Sequence, residues 1–322
     1  MVKTIRFIIL SVLLTALNAF AWEPTKPIRV ILGFTPGSGN EVSFRGVEAV
    51  LQKQYPNVNF VIEHRPGVDS VLATNLFAKL PADGHAISIP SEQGTFVTAE
   101  IWNKQAMEFN PFEFEFVTSI AQSPLALIAR ISSPVNTVAE LVETLKKPNR
   151  NIDFAVGGGA HKVAYEFLTE SIKADETKVQ SVLYRGPNPA ALAVASNQTE
   201  FGIMPVAIAQ PLIAGGKVKL IALAGDKKLS AYPNAPLLKD TVPGLVVNAG
   251  WVIVLPKGTP KEIVNWYVNA FVPAIRSAEA KVYFDNNLMI VNENQLGPEK
   301  AKNAMINLRD KWQPIVRKMK VD

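Results

Sequence analysis

Near the start of the chain, residues 28–51 read IRVILGFTPGSGNEVSFRGVEAVL. An apolar, β-branched run ends at Gly33, and a glycine-rich turn follows it directly. From Val42 to Leu51 the apolar residues recur at the spacing of one helix face. This order predicts a buried strand over 28–32, a tight turn, and a helix over 41–54.

The same order of strand, turn and helix recurs along the chain. Further strands are predicted over 58–62, 86–89, 153–156, 181–184, 201–204, 220–224 and 250–255, and a long run spans 114–131. Further helices are predicted over 71–80, 94–102, 138–145, 163–172 and 189–195, and two closing helices begin at Thr259-Pro260 and Gly297-Pro298. This alternation is typical of α/β layers built on parallel sheets.

Composition narrows the classes of function. A chain of 322 residues, 48% hydrophobic and 19% charged, has the length of two globular domains. The absence of cysteine excludes disulfides, thiolate nucleophiles and cysteine-bound metal. Only three histidines occur, far apart in the sequence, so we expect neither a metal nor a cofactor. The net charge is +5 without a phosphate-tracking cluster of Lys and Arg, so nucleic acid is not expected as a partner.

The N-terminus has the pattern of a cleaved export signal. Lys3 and Arg6 precede an apolar run over 7–17, and residues 19–21 read AFA. This pattern predicts cleavage after Ala21, because small residues flank such sites. The apolar run is shorter than a membrane span. We therefore expect a mature protein that is exported to the periplasm.

Three glycine loops stand between a predicted strand and a predicted helix. In open α/β sheets, ligands bind beyond the carboxyl ends of the strands, and helix-start N–H groups favour an anion. The loops therefore predict a shared site for a small carboxylate. The candidate ligand-binding residues are Thr35, Pro36, Gly37, Ser38, Gly39, Asn40 and Glu41 in the first loop, Gly158, Gly159, Ala160 and His161 in the second, and Arg185, Gly186 and Pro187 in the third.

The sequence can also be compared with the motifs of two other classes of function, nucleotide binding and hydrolysis. A dinucleotide fingerprint would need glycine where Val42 stands, and the chain has no Gly-Lys-Ser/Thr phosphate loop. A serine hydrolase would need a G-x-S-x-G turn, which is missing, although His161 could act with Glu41. Glu41 and Asp69 could also pair as acid and base, but nothing in the sequence fixes their separation.

Six short motifs occur in the order that one known family shows. They are KPIRVILGFTPGSGNE with Arg45 (residues 26–45), EHRPG (63–67), PADGH (81–85), YRGPNPA (184–190), LPKGTP (255–260) and KW (311–312). Together they resemble the motifs of Bug-type (TctC-like) extracytoplasmic solute receptors, the binding proteins of tripartite tricarboxylate transporters.

The resemblance implies a type II-like periplasmic binding protein with two α/β domains, mixed or parallel sheets, and a ligand cleft between the domains. One domain would comprise residues 22–122 and 229–322, and the other residues 123–228. The implied ligand is a small organic carboxylate held by backbone N–H groups, and the implied partners are the permease subunits of the transporter. We expect a monomer without catalysis. Reporting the ligand to a sensor kinase is an alternative in the same fold, and a periplasmic hydrolase is the alternative from another class.

The chain departs from the family pattern at its ligand loops. Thr35, Ser38 and Glu41 replace a proline, a glycine and an aspartate, and the loop at 154–160 is shorter than usual. Asp69-Ser70 stands where small glycines are usual. Glu41 would either reach into the cleft, where it could favour an ammonium group, or be pushed aside. These changes leave the identity of the ligand open.

Overall fold

The computed structural model describes residues 22–318, so the predicted export signal lies outside the described residues. Within this range, nine strands form one mixed sheet. They are β1 (Ile28–Leu32), β2 (Phe60–His64), β3 (Ala86–Ser88), β4 (Glu115–Arg130), β5 (Ile152–Val156), β6 (Val179–Leu183), β7 (Phe201–Pro205), β8 (Val218–Leu223) and β9 (Asn248–Leu255).

Helices follow most of the strands, which confirms the predicted α/β alternation. They are α1 (Gly39–Gln54), α2 (Val71–Ala78), α3 (Ala99–Trp102), α4 (Val138–Lys146), α5 (Gly159–Ile172), α6 (Pro187–Ala195), α7 (Val206–Ala214), α8 (Lys261–Arg276), α9 (Ala278–Asn286) and α10 (Pro298–Val316). Two short turns also contribute to the site described below: a 3-10 turn at Val68–Ser70 and a π-helical turn at Gly94–Thr98.

The strand order is β2-β1-β3-β9-β4-β7-β5-β6, with β8 paired to β4. β1 runs parallel to β2 and β3, and β5 runs parallel to β6 and β7. The central strand β4 is antiparallel to β7, β8 and β9. The sheet is therefore mixed, with a parallel set on each side of an antiparallel centre.

Strand β4 connects the two parallel sets. Its 16 residues are buried except at the two ends, as expected for a strand covered on both faces. Residues 115–124 of β4 pair with β9, and residues 125–129 pair with β7. We call β1–β3, β9 and residues 115–124, with the turns that follow these strands, the first lobe. The second lobe is β5–β8 and residues 125–130 with their turns.

Aromatic packing fixes the position of α1 relative to β1. The Phe44 ring lies 5.4 Å from the Phe60 ring and 6.4 Å from the Phe271 ring, measured between centroids. All three side chains are buried, so they anchor α1 to β2 and α8. The N-terminus of α1 is thereby held at the carboxyl end of β1.

Over residues 22–318, the structure contains no helix with the length and hydrophobicity needed to cross a membrane.

Candidate functional site

A cavity between the two lobes brings the three glycine loops together. Its volume is about 30 Å³, on the order of the space of one or two water molecules. Of the residues that the sequence singles out, those in the cavity wall are Ser38 and Gly39 from the first lobe, and Gly158, Gly159, Ala160, His161 and Pro187 from the second. The remaining wall includes Phe34, Asp69, Ser91, Pro205, Ala249 and Trp251.

The other candidate residues surround the cavity without lining it. They are Thr35, Pro36, Gly37, Asn40, Glu41, Arg185 and Gly186. A Cβ on Gly186 would stand 3.6 Å from the Thr35 hydroxyl, and a Cβ on Gly37 would stand 3.7 Å from the Asn188 amide nitrogen. The first and third loops are therefore in contact across the cleft.

The Glu41 side chain stabilises the first loop by hydrogen bonds outside the cavity wall. Its Oε2 accepts the Gly37 N–H at 2.8 Å, and its Oε1 accepts from Arg45 at 3.3 Å. His64 Nε2 lies 3.3 Å from the same Oε2. With these partners the Glu41 carboxylate shapes the loop instead of entering the cavity, so the second of the two sequence expectations for Glu41 applies.

Gly39 begins α1 and lies against the indole of Trp251 on β9. A Cβ on Gly39 would stand 2.2 Å from two ring carbons of Trp251, closer than any side chain tolerates. Ser38 precedes it in an extended conformation, and its hydroxyl donates to the Thr35 carbonyl at 2.5 Å. As at any helix start, the first N–H groups of α1 lack intrahelical acceptors. Gly39 N–H has no acceptor among the described residues.

The second loop turns sharply from β5 into α5. A Cβ on Gly157 would stand 2.3 Å from the Gly186 carbonyl oxygen, which explains why glycine is needed there. The Gly157 N–H donates to His161 Nδ1 at 3.1 Å. Burial lowers the pKa of His161 to about 3, so the ring is neutral and carries its proton on Nε2. His161 contacts Gly157 and not Glu41, so the pair needed by the hydrolase alternative is not formed.

Two basic residues next to the second and third loops do not line the cavity. Lys162 donates to Ser181 at 2.7 Å and pairs with Glu166 at 2.7 Å. Arg185 is exposed and does not line the cavity. Among the described residues, the cavity wall therefore contains no Lys or Arg side chain that could bind a second carboxylate of a ligand.

Asp69 extends from the first lobe to the second. Its Oδ2 accepts the Gly159 N–H at 2.8 Å, at the start of α5. Although part of the residue is exposed, Oδ1 is excluded from solvent and has no hydrogen-bond partner. Burial raises the pKa of the Asp69 carboxyl to about 6, and the Gly159 N–H lowers it less. Asp69 and Glu41, which the sequence left open as an acid and base pair, have different partners and do not pair.

The turn that carries Asp69 is strained. Val68, Asp69 and Ser70 have φ values of +46°, +50° and +74°, a left-handed conformation that side chains disfavour. A Cβ on Gly33 would stand 2.2 Å from the Ser70 hydroxyl, so the turn lies directly on the end of β1. The sequence carried one signal for this feature, the occurrence of Asp69-Ser70 where small glycines are usual.

Glu92 is a second buried carboxylate beside the cavity. It follows the wall residue Ser91, and its oxygens accept from Ser119 at 3.2 Å and from Gln122 at 3.0 Å. A Cβ on Gly250 would stand 2.1 Å from Glu92 Oε2. Burial raises the pKa of Glu92 to about 7. The side chain therefore lies between β4 and β9, the strands that lead towards the second lobe.

Comparison with known families shows which family the chain belongs to. The family model described as "Tripartite tricarboxylate transporter family receptor" matches residues 44–321. The chain belongs to this family. The receptor is thus a solute-binding protein, and the resemblance seen in its motifs is confirmed.

Curated relatives are distant but cover most of the receptor. A UPF0065 protein of Bordetella bronchiseptica is 25% identical over 276 residues, which covers 84% of this chain and 80% of the relative. Protein BugT of Bordetella pertussis is 22% identical over 306 residues, covering 91% and 89%.

Solved structures share the fold. The periplasmic binding protein BugD aligns with a TM-score of 0.84 at 21% identity, covering 93% of this chain and 99% of BugD. MatC from Rhodopseudomonas palustris, with bound malate, aligns with a TM-score of 0.83 at 22% identity, covering 91% and 100%. The expected periplasmic binding protein fold is therefore confirmed.

Proposed function

We propose that the receptor captures a small organic carboxylate in the cavity between its lobes and delivers it to the membrane permease of a tripartite transporter. One observation carries the proposal of a carboxylate. The N-terminus of α5 already binds a carboxylate of the chain itself, because the Gly159 N–H donates to Asp69. The N-terminus of α1 opens on the same cavity through Ser38 and Gly39.

The cavity has room for about one or two water molecules, so the lobes would open to admit the solute and then close on it as two domains, residues 22–122 with 229–322 and residues 123–228. Closure buries the charge of the solute, so each of its oxygens needs a hydrogen-bond donor. Backbone N–H groups at the start of α1 would supply donors without the desolvation of a charged side chain, since Asp69 already occupies the Gly159 N–H at the start of α5. The closed form would then be the signal that the permease reads.

Location and partners follow from the same proposal. Export through a signal cleaved after Ala21 would release a monomeric receptor into the periplasm, where it meets the permease. The structural relatives MatC, with malate, and an R. palustris protein with adipate are consistent with a carboxylate. We propose binding without catalysis, because neutral His161, with its pKa of about 3, is a poor general base near neutral pH.

A thermal-shift panel tests this function. The mature receptor is heated with monocarboxylates, dicarboxylates, tricarboxylates, aromatic acids and amino acids. A ligand at about 1,000 times its Kd adds about 4 kcal/mol, or roughly 6 °C for a chain of this length. We expect one chemical class of carboxylate to raise the melting temperature and to be recovered unchanged. Recovery of an altered compound would instead support the hydrolase.

Gly158→Ala links any shift to this cavity. Gly158 has an extended backbone that alanine also adopts, and the added Cβ would stand 3.3 Å from Asp69 Oδ1 and 3.8 Å from the Phe34 ring. The variant should fold and lose the ligand-induced shift. Gly258→Ala is the control, because nothing lies within 4 Å of its Cβ. Its φ of +80° makes alanine strained there, so the unliganded variant should melt at a lower temperature than the wild type, but the ligand-induced shift should remain.

A further inference from the structure

One acceptor in the cavity wall has no donor. Asp69 Oδ2 is satisfied by Gly159, whereas Oδ1 is buried and unpartnered. A Cβ on Gly158, another wall residue, would stand 3.3 Å from Oδ1, so this oxygen lies next to the second loop at the cavity wall. Building on the proposed function, we propose that the natural solute carries an ammonium group beside its carboxylate, and that Asp69 Oδ1 selects it.

The position of this carboxylate is fixed by tight packing. Cβ atoms on Gly94 and Gly159 would stand 2.8 Å and 2.5 Å from Asp69 Oδ2, so glycines of both lobes hold the group between them. The three left-handed residues 68–70 deliver the side chain there at a conformational cost. Strain of this kind persists where the surroundings over-determine it, and it is common in binding sites. Asp69 is therefore held in the wall and is not a loose surface side chain.

The charge of Asp69 is uncompensated within the described chain. Burial raises the pKa of Asp69, the Gly159 N–H partly opposes that rise, and no cation contributes to either effect. The wall residue His161 is neutral, and the ammonium of Lys162 is engaged by Ser181 and Glu166. A buried carboxylate without a partner is costly, so a cation from the solute would satisfy it. A second carboxylate placed there would be repelled.

Another part of the cavity wall has the complementary polarity. Ser38 and Gly39 begin α1, and the Gly39 N–H lacks an acceptor among the described residues. The cavity thus offers N–H donors on the α1 side and an anionic acceptor at Asp69. This polarity fits a small zwitterion, whose carboxylate faces α1 and whose ammonium faces Asp69, better than it fits a plain dicarboxylate.

Matched pairs of solutes test the inference. Calorimetric titrations compare L-alanine with propionate, L-aspartate with succinate, and 4-aminobutyrate with butyrate, on the wild type and on Asp69→Asn. We expect at least one amino compound to bind the wild type at least tenfold tighter than its partner without the amino group. Asp69→Asn keeps the shape of the side chain and an oxygen for Gly159, and the preference should fall at least tenfold.

Other outcomes overturn the inference in distinguishable ways. An equal or reversed preference in the wild type, or a preference unchanged in Asp69→Asn, would show that Asp69 does not select an ammonium. A third variant, Asp69→Gly, suits the left-handed backbone. If it binds the plain carboxylates while the wild type binds neither class, Asp69 would be an internal blocker and the inference wrong. If no folded form binds either class, the proposed function fails as well.

Discussion

Asp69 and Gly159 join the two lobes across the cavity, since the Gly159 N–H at the start of α5 donates to Asp69 Oδ2 at 2.8 Å. Asp69 follows β2 in the first lobe, and Gly159 follows β5 in the second. A carboxylate of the chain itself thus occupies one of the two helix starts that line the cavity. By the proposal above, this contact sets which solutes the cavity accepts and how binding responds to pH.

The pH dependence of binding should report Asp69. With a pKa of about 6, its carboxyl is ionised above pH 6 and becomes neutral below it. Affinity for an ammonium-bearing solute should therefore be highest between about pH 7 and 8 and fall by up to tenfold per pH unit below 6. Titration calorimetry between pH 5 and 8 measures this slope.

Asp69→Asn is the control for that slope. His161 on α5 stays neutral over this range, because its pKa is about 3, and Glu92 next to the wall titrates with a pKa of about 7 in both proteins. The residues of the 94–98 turn and the other two residues of the 68–70 turn do not ionise. A variant that keeps the wild-type slope below pH 6 would assign it to another group.

Glu92 should make the wild type less stable at high pH. Its folded-state pKa of about 7 exceeds the ordinary value of 4.5, so the folded state binds the proton more tightly. The contribution of Glu92 to the free energy of unfolding is fully present below pH 4.5. It is lost as the pH rises through 7, and the total loss is about 3 kcal/mol. Glu92→Gln should be close to the wild type in stability at pH 4.5 and exceed it at pH 8.

Urea unfolding at several pH values measures the Glu92 effect. In the wild type, Gln122 and Ser119 donate to Glu92 at 3.0 and 3.2 Å. A glutamine at position 92 can accept from Gln122 with its oxygen and donate to Ser119 with its N–H. The quantity to follow is the stability difference between variant and wild type, because the protonation of His161 cancels in it. A difference that is constant from pH 4.5 to 8 would contradict the assignment.

Ser70→Gly should stabilise the receptor. Ser70 has a φ of +74°, and its buried hydroxyl has no partner. Glycine relieves the left-handed strain, which is on the order of 1–2 kcal/mol for a residue with a Cβ. Ser70→Ala removes the hydroxyl but keeps the strain, so it is the matched control. Urea unfolding should place the glycine variant about 1 kcal/mol above the alanine variant; equal stabilities would contradict the strain.

Gly39→Ala should lower stability as well as binding. The sequence alone suggests that a larger residue in the first loop blocks the ligand and leaves the fold intact. At Gly39, however, the new Cβ would overlap the Trp251 ring at 2.2 Å, and overpacking of this kind costs typically 1–3 kcal/mol.

A double-mutant cycle with Trp251→Phe tests this contact, because the smaller ring vacates the space of the clashing carbons. The double variant should be more stable than the sum of the two single changes predicts. Additive effects would show that the Cβ of residue 39 does not meet Trp251.

The sequence predicted the elements well because they carry strong local signals. The strand over 28–32 and the helix over 41–54 follow from apolar spacing, and the structure has β1 at Ile28–Leu32 and α1 at Gly39–Gln54. The glycine loops were also recognisable, because glycine between strand and helix has a clear physical meaning. The contact of these loops with each other depends on packing of the two lobes, which no local pattern encodes.

The residues that the sequence missed are those whose role depends on distant partners. Trp251 lies within the apolar run of β9, and only its contact with Gly39 places it in the cavity wall. Asp69 was noticed as an exception to a motif, but its contact with Gly159 spans 90 positions of the chain. Glu41, by contrast, was expected in the binding loop, and its hydrogen bonds direct it away from the cavity.

A calorimetric titration of the wild type and of Gly158→Ala tests the proposed binding site, with the carboxylate that raises the melting temperature most as the ligand. We expect one bound solute per wild-type chain. We expect at least a tenfold weaker affinity for the folded variant, because the new methyl group fills the cavity beside Asp69. Equal affinities for the two proteins would place the solute elsewhere and show that this cavity is not the binding site.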